Sequence, residues 1–130
     1  MSTYAPIPDT SVMKTKVFTM NLAQAANTYD LCTGTGGVLI DTVQIFGAVV
    51  GATFTAVTMQ TNNTVAEEIL SVSEGAVANI VAGKNIKSFT TKFYLATTKK
   101  IQYTISGSTG TGSCSIIITY RPCINGADLA

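Results

Sequence analysis

Two alternating runs near the C-terminus restrict the fold of this chain more than any other feature. In the first, Ile101, Tyr103 and Ile105 alternate with Gln102 and Thr104. In the second, Cys114, Ile116, Ile118 and Tyr120 alternate with Ser115, Ile117 and Thr119. Successive side chains on an extended backbone point to opposite faces, so a period of two marks a strand with one apolar face and one mixed face. The Gly/Ser/Thr stretch 107–112 between the runs reads as the connection of a β-hairpin. A hairpin alone is marginal in water, so its apolar face predicts a second sheet to cover it.

The chain ahead of these runs supplies that cover. Phe18, Met20 and Leu22 alternate with Thr19 and Asn21, and a link at 23–27 leads to a short strand from Tyr29 to Cys32. After a glycine turn at 34–37, the run 38–46 is apolar on both faces, with Leu39, Val43 and Ile45 on one and Val38, Ile40 and Phe46 on the other. Apolar residues on both faces predict a central strand that also meets a partner outside the sandwich. Residues 47–51 read as a turn and 53–61 as a strand, in which a bulge near Ala56 reconciles Phe54 and Ala56 with Val57 and Met59. Asn62 and Asn63 form a further turn.

Between 64 and 81 two readings compete. Thr64 and Glu67 match a capping box at the head of a helix. Alternatively, a strand over 67–72 hands over to a short helix at 73–78 capped by Ser73, and this is preferred because Gly75 interrupts any longer helix. A turn follows at 83–85, and Phe89, Phe93 and Leu95 then alternate with polar positions. About eight short strands with almost no helix predict an all-β fold, an antiparallel β-sandwich of the jelly-roll or Greek-key kind. Residues 14–122 form that sandwich and 123–130 a C-terminal tail. Residues 1–13 form an extended arm, because Pro6 and Pro8 exclude helix around Ile7.

The composition excludes more chemistry than it suggests. The chain has 130 residues, the size of one domain, and only 12% are charged, about half the usual share. No apolar run approaches the length of a membrane span, and the first residues lack the basic and apolar regions of a signal peptide. The net charge is +1 and Lys99–Lys100 is the sole adjacent basic pair, so no nucleic-acid partner is expected. The absence of histidine removes Ser-His-Asp and Cys-His catalysis and His-containing metal sites. Cys32, Cys114 and Cys123 have no CxxC spacing and an odd count, which predicts neither a disulfide framework nor a thiolate zinc site. Cys114 falls on the apolar face of its run and reads as a small buried hydrophobe.

Glu67 and Glu68 are the sole adjacent acids, and neighbours on a strand face opposite ways. Asp30, Asp41 and Glu74 lie in no calcium loop, and neither glycine-rich stretch carries the GK[ST] of a phosphate loop. Neither catalysis nor a metal nor a cofactor is therefore expected. Tyr29, Tyr94, Tyr103 and Tyr120 read first as packing residues and second as platforms for a sugar.

Three phrases add a resemblance. They are Thr28-Tyr-Asp-Leu31 before a glycine-rich turn, Glu74-Gly-Ala-Val-Ala-Asn79 with Ala82-Gly-Lys-Asn85, and Lys99-Lys-Ile-Gln-Tyr-Thr104 ending in Ile118-Thr-Tyr-Arg-Pro122. In this order, over residues 29–122, the chain resembles small virion proteins of tailed bacteriophages, namely head decoration (cement) proteins and fibre-base proteins. The resemblance implies a β-sandwich that assembles, often as a homotrimer, on the capsid lattice of a virion put together in the host cytoplasm. Its partners would be the major capsid protein or other virion subunits, with no catalytic residues. The expected interface residues are Tyr4, Ile7 and Pro8 of the arm, Val38, Ile40 and Phe46 of the two-faced run, and Ile117 and Thr119 of the last strand. The competing expectations are a carbohydrate- or host-surface-binding module using its end loops, and a tail or fibre component of the same fold.

Overall fold

The structure, a computed structural model, describes residues 12–51 and 54–130, and of residues 48–51 the backbone alone. Two antiparallel sheets face each other. The first runs β1 (Lys14–Asn21), β9 (Thr111–Pro122), β3 (Val38–Gly51), β6 (Asn85–Phe89), with β7 (Phe93–Leu95) pairing β3 beyond the end of β6. The second runs β10 (Asp128–Leu129), β2 (Thr28–Thr35), β8 (Lys100–Ser106), β4 (Ala56–Thr61), β5 (Glu68–Leu70). The interleaved orders 1-9-3-6 and 2-8-4-5 make a jelly roll, to which β7 and β10 are additions. The core between the sheets is apolar, from Met20, Val43, Ile45, Ile116 and Ile118 of the first sheet to Met59, Leu70, Ile101 and Ile105 of the second.

The strands at 101–105 and 114–120 form as expected, but they are not a hairpin. β8 pairs β2 and β4, whereas β9 pairs β1 and β3, so the two lie in opposite sheets. Their apolar faces meet across the core instead of standing side by side. The connection at 107–110 crosses one end of the sandwich, where Gly107 takes φ 94° and Gly110 lies against the Leu22 carbonyl oxygen. Alternation defines a strand's faces and says nothing about which strand lies beside it.

The two-faced run has a different cause from the one expected. In β3 the register against β9 shifts between Ile40 and Thr42, leaving Asp41 as a bulge. One extra residue flips the alternation, so Val38 and Ile40 before the bulge and Val43 and Ile45 after it all point into the core. Val38 and Ile40 are therefore core residues and not part of an outer interface. Nor do residues 47–51 turn: β3 continues to Gly51. Gly47 is there because the backbone of Val81 and Ala82 crosses it, and an added Cβ would sit 2.2 Å from the Val81 carbonyl oxygen.

β4 pairs β8 without interruption from Ala56 to Thr61, so the bulge expected near Ala56 is absent. Ala56 is buried where the chain at Ala76 bridges to it. The preferred reading of 64–81 comes close: β5 is followed by a turn and a single 3₁₀ turn at Val77–Asn79. Ser73 does not cap it. The reciprocal capping pair is Ser71 and Glu74, in which the Glu74 N–H donates to Ser71 Oγ (3.2 Å) and the Ser71 N–H to Glu74 Oε1 (3.0 Å). Thr61, not Thr64, accepts the Glu67 N–H at its hydroxyl. The tail expected at 123–130 is instead part of the fold, since Ala127 and Leu129 are buried and β10 extends the second sheet beside β2.

Candidate interaction face on the first sheet

The registers arrange the outward side chains of the first sheet in rows across the strands. Val17, Ile117, Gln44 and Ser88 form the central row. On one side of it lie Thr15, Thr119 and Thr42, then Arg121, Leu39 and Tyr94; on the other lie Thr19, Ser115, Phe46 and Asn85. Val17 is 65% exposed and Tyr94 52%, while Leu39, Phe46 and Ile117 are half-buried by their neighbours. Among the described residues of these rows Arg121 is the single charge. Asp41, displaced by the bulge, is neutralised by Lys92 at the margin.

The second sheet presents the opposite chemistry. Its outward residues satisfy one another: the Thr28 and Thr104 hydroxyls are 2.8 Å apart, and Asp30 accepts from Gln102 (2.8 Å) and Lys100 (2.7 Å). Those bonds hold the Asp30 carboxyl below its usual range, the Gln102 amide contributing most. One face of the sandwich is thus polar, charged and internally paired; the other is nearly uncharged, with apolar side chains among polar ones of which Thr15 pairs with Thr119 (3.5 Å) and Asn85 donates to Ser88 (2.9 Å).

Edge strands β1 and β6 carry lysines that point inward and pair beyond their own sheet. On edge strand β1, Lys16 donates to Asp128 Oδ2 (2.8 Å) and to the Leu129 carbonyl (2.7 Å), which fastens β10. The buried Tyr120 hydroxyl donates to the other Asp128 oxygen. Lys16 and then Tyr120 hold the Asp128 carboxyl far below the ordinary range, while burial and then the adjacent carboxylate push the Tyr120 phenol up. On the opposite side, Lys87 of β6 pairs with Glu74, whose carboxyl falls to about 2, chiefly through that lysine. An inward-pointing charge on an edge strand discourages strand addition, because pairing with a foreign edge would strand it.

The sequence-derived interface residues divide accordingly. Phe46, Ile117 and Thr119 share the outward face of the first sheet. Val38 and Ile40 do not, being fully buried, and Tyr4, Ile7 and Pro8 lie outside the described residues. Sequence reading missed Val17 and Leu39 for this face and weighed Tyr94 only as a packing residue or a platform for a sugar. Val17 could have been found from its place opposite the inward-facing Phe18 and Met20, whereas Leu39 was assigned to the wrong face for want of the bulge.

The groups weighed for chemistry are dispersed. Asp30, Asp41 and Glu74 each pair with a different lysine, and no group of three or more metal-ligating side chains converges among the described residues. Burial pushes the Cys32 thiol up to about 12 and the Cys114 thiol to about 11, while Cys123 is exposed. Tyr103 packs in the core against Tyr29 with ring centroids 5.7 Å apart. Tyr94 alone of the weighed tyrosines stands more than half exposed. Comparison with known proteins returns no match, whether to a family model, a curated protein or a solved structure.

Proposed function

We propose that this chain is a structural virion protein of the decoration or cement type, which reinforces a capsid through subunit–subunit contacts with the major capsid protein or other virion subunits. The outward face of the first sheet carries the reading: it is nearly uncharged and displays Val17, Leu39, Phe46, Ile117 and Tyr94 among threonines and serines. Such a surface gains by leaving water, at about 25 cal/mol per Å² of apolar area covered. Its hydroxyls supply adaptable hydrogen bonds without the desolvation cost of charges. The phrases behind the resemblance fall on β2, on the stretch from Glu74 through the 3₁₀ turn to the start of β6, and on β8 and β9, all within the sandwich. Jelly rolls also build capsid and lectin domains, a fold-level analogy that agrees with the reading without carrying it.

The test is cosedimentation with particles of the encoding virus assembled without this protein. The expected result is saturable association and shells that withstand higher temperature. Shells that neither bind the protein nor gain resistance would overturn the proposal. The exposed Tyr94 favours a second reading, a carbohydrate-binding module in which its ring stacks on a sugar. Glycan-array binding that disappears in Tyr94→Ala would establish that alternative, and an array without signal would remove it.

A further inference from the structure

We infer that the outward face of the first sheet pairs with the same face of a second copy of this chain, related by a twofold axis lying between the sheets and running across the strands. This rests on the proposed reading of the face as an association surface: in free solution a second copy covers the face, and on the shell a capsid subunit displaces that copy. Three features of the structure support it.

The first is which surfaces are open to association. Edge strands β1 and β6 of the first sheet carry inward lysines that are already paired, Lys16 with Asp128 of β10 and Lys87 with Glu74 in the turn after β5. Edge-to-edge pairing would have to displace those bonds, so association by strand addition is disfavoured. The outward face of the second sheet is already satisfied by Asp30, Lys100, Gln102, Thr28 and Thr104. Of these surfaces, the face of the first sheet is the one left.

The second is size. Four strands abreast at sheet spacing span about 19 Å, and β9 from Ser113 to Arg121 runs about 27 Å, so the face covers about 500 Å² per copy. Doubled, that is about 1,000 Å², the size at which a biological interface begins, which fits a reversible dimer.

The third is charge. Arg121 is the one charge on the rows and lies four residues from the centre at Ile117. A twofold axis across the strands sets Ile117 near its own copy and lays Arg121 over the partner's row of Ser113 and Asn21. The two guanidinium groups then stand about 27 Å apart, more than three screening lengths of about 8 Å at physiological salt. An axis parallel to the strands would bring the two Arg121 rows together, with like charges opposed. The favoured arrangement is also the aligned packing that stacked sheets adopt, with antiparallel strands offset by about 30°. Because the face meets itself, the contact is isologous and closes at two copies, whereas a threefold ring would need two different surfaces.

Sedimentation velocity over rising protein concentration tests this with the full chain. The wild type is expected as a reversible dimer, and Val17→Lys as a monomer with unchanged circular dichroism and thermal midpoint. Val17 is well exposed, so the change spares the core, and the twofold places two new lysines in the interface, weakening pairing about a hundredfold. Gln60→Lys, on the exposed side of the second sheet, is expected to dimerise like the wild type. A wild type that stays monomeric, forms a trimer, or dimerises equally well with Val17→Lys would overturn the inference. A monomer that still cosediments with shells would leave the proposed function standing, and a dimer that ignores shells would do the reverse.

Discussion

Gly75 occupies a position where one methyl group does not fit, since an added Cβ would lie 1.7 Å from the Val57 carbonyl oxygen. The same turn supplies the Gly75 carbonyl that accepts the Val57 N–H at 2.9 Å. Gly75→Ala must push the turn away from β4 and lose that bond, and it is expected to destabilise the protein by about 2 kcal/mol or more. Chemical denaturation checks this; a change below a few tenths would show that the turn relaxes freely. The cysteines give a second residue-scale prediction. A thiol reagent at mildly alkaline pH should modify Cys123 alone in the native protein and all three cysteines in denaturant, because burial keeps Cys32 and Cys114 as neutral thiols. Cys114 was legible as a buried hydrophobe from its place in an alternating run. Lys16 was not, because its partner Asp128 lies 112 residues away and nothing local marks the pair.

At the scale of elements, the two lysine contacts fasten β10 and the turn after β5 to the first sheet, and they respond to acid. The folded Glu74 carboxyl titrates at about 2 against an ordinary 4.5, so between those values the unfolded chain binds the proton that the folded chain refuses. Its contribution is complete above pH 4.5 and disappears as the pH falls through about 2. Asp128 shifts the same way, so stability should hold from neutral pH down to that range and then decline. Glu74→Gln should lose about 0.5–1 kcal/mol at neutral pH, the size of a partly exposed ion pair, and flatten the acid limb of a denaturation-midpoint-against-pH plot. A variant with the wild-type slope would contradict the role given to Glu74. On the other side, Lys16→Met should speed hydrogen exchange at the Ala130 amide, which donates to Thr33 across the β10 pairing, more than at the centre of β9. Equal protection in variant and wild type would show that β10 holds without the lysine. Strand existence was legible in the alternations of β1, β8 and β9. Pairing was not, because β8 and β9 follow one another in sequence yet belong to different sheets, and the Asp41 bulge reverses the faces of β3 without any local signal.

For the whole molecule, the interleaved sheets bring together on one outer face residues distant in sequence, Val17, Phe46, Tyr94 and Ile117. The all-β sandwich was legible because strand patterns and glycine turns recur along the chain, and because few charges are present. The proposed association face was legible only in part. Phe46, Ile117 and Thr119 followed from alternation, while Val38 and Ile40 were misassigned to it by the same rule before the bulge was known. The proposed function requires one sheet to be an association surface and the other an ordinary solvated one. The direct measurement compares Ile117→Lys on the first sheet with Thr104→Lys on the second, each scored for fold by circular dichroism and for binding to shells assembled without the protein. Loss of binding by at least about tenfold in Ile117→Lys alone, with both variants folded, is the predicted result. Binding lost only in Thr104→Lys, or retained in both, would contradict it.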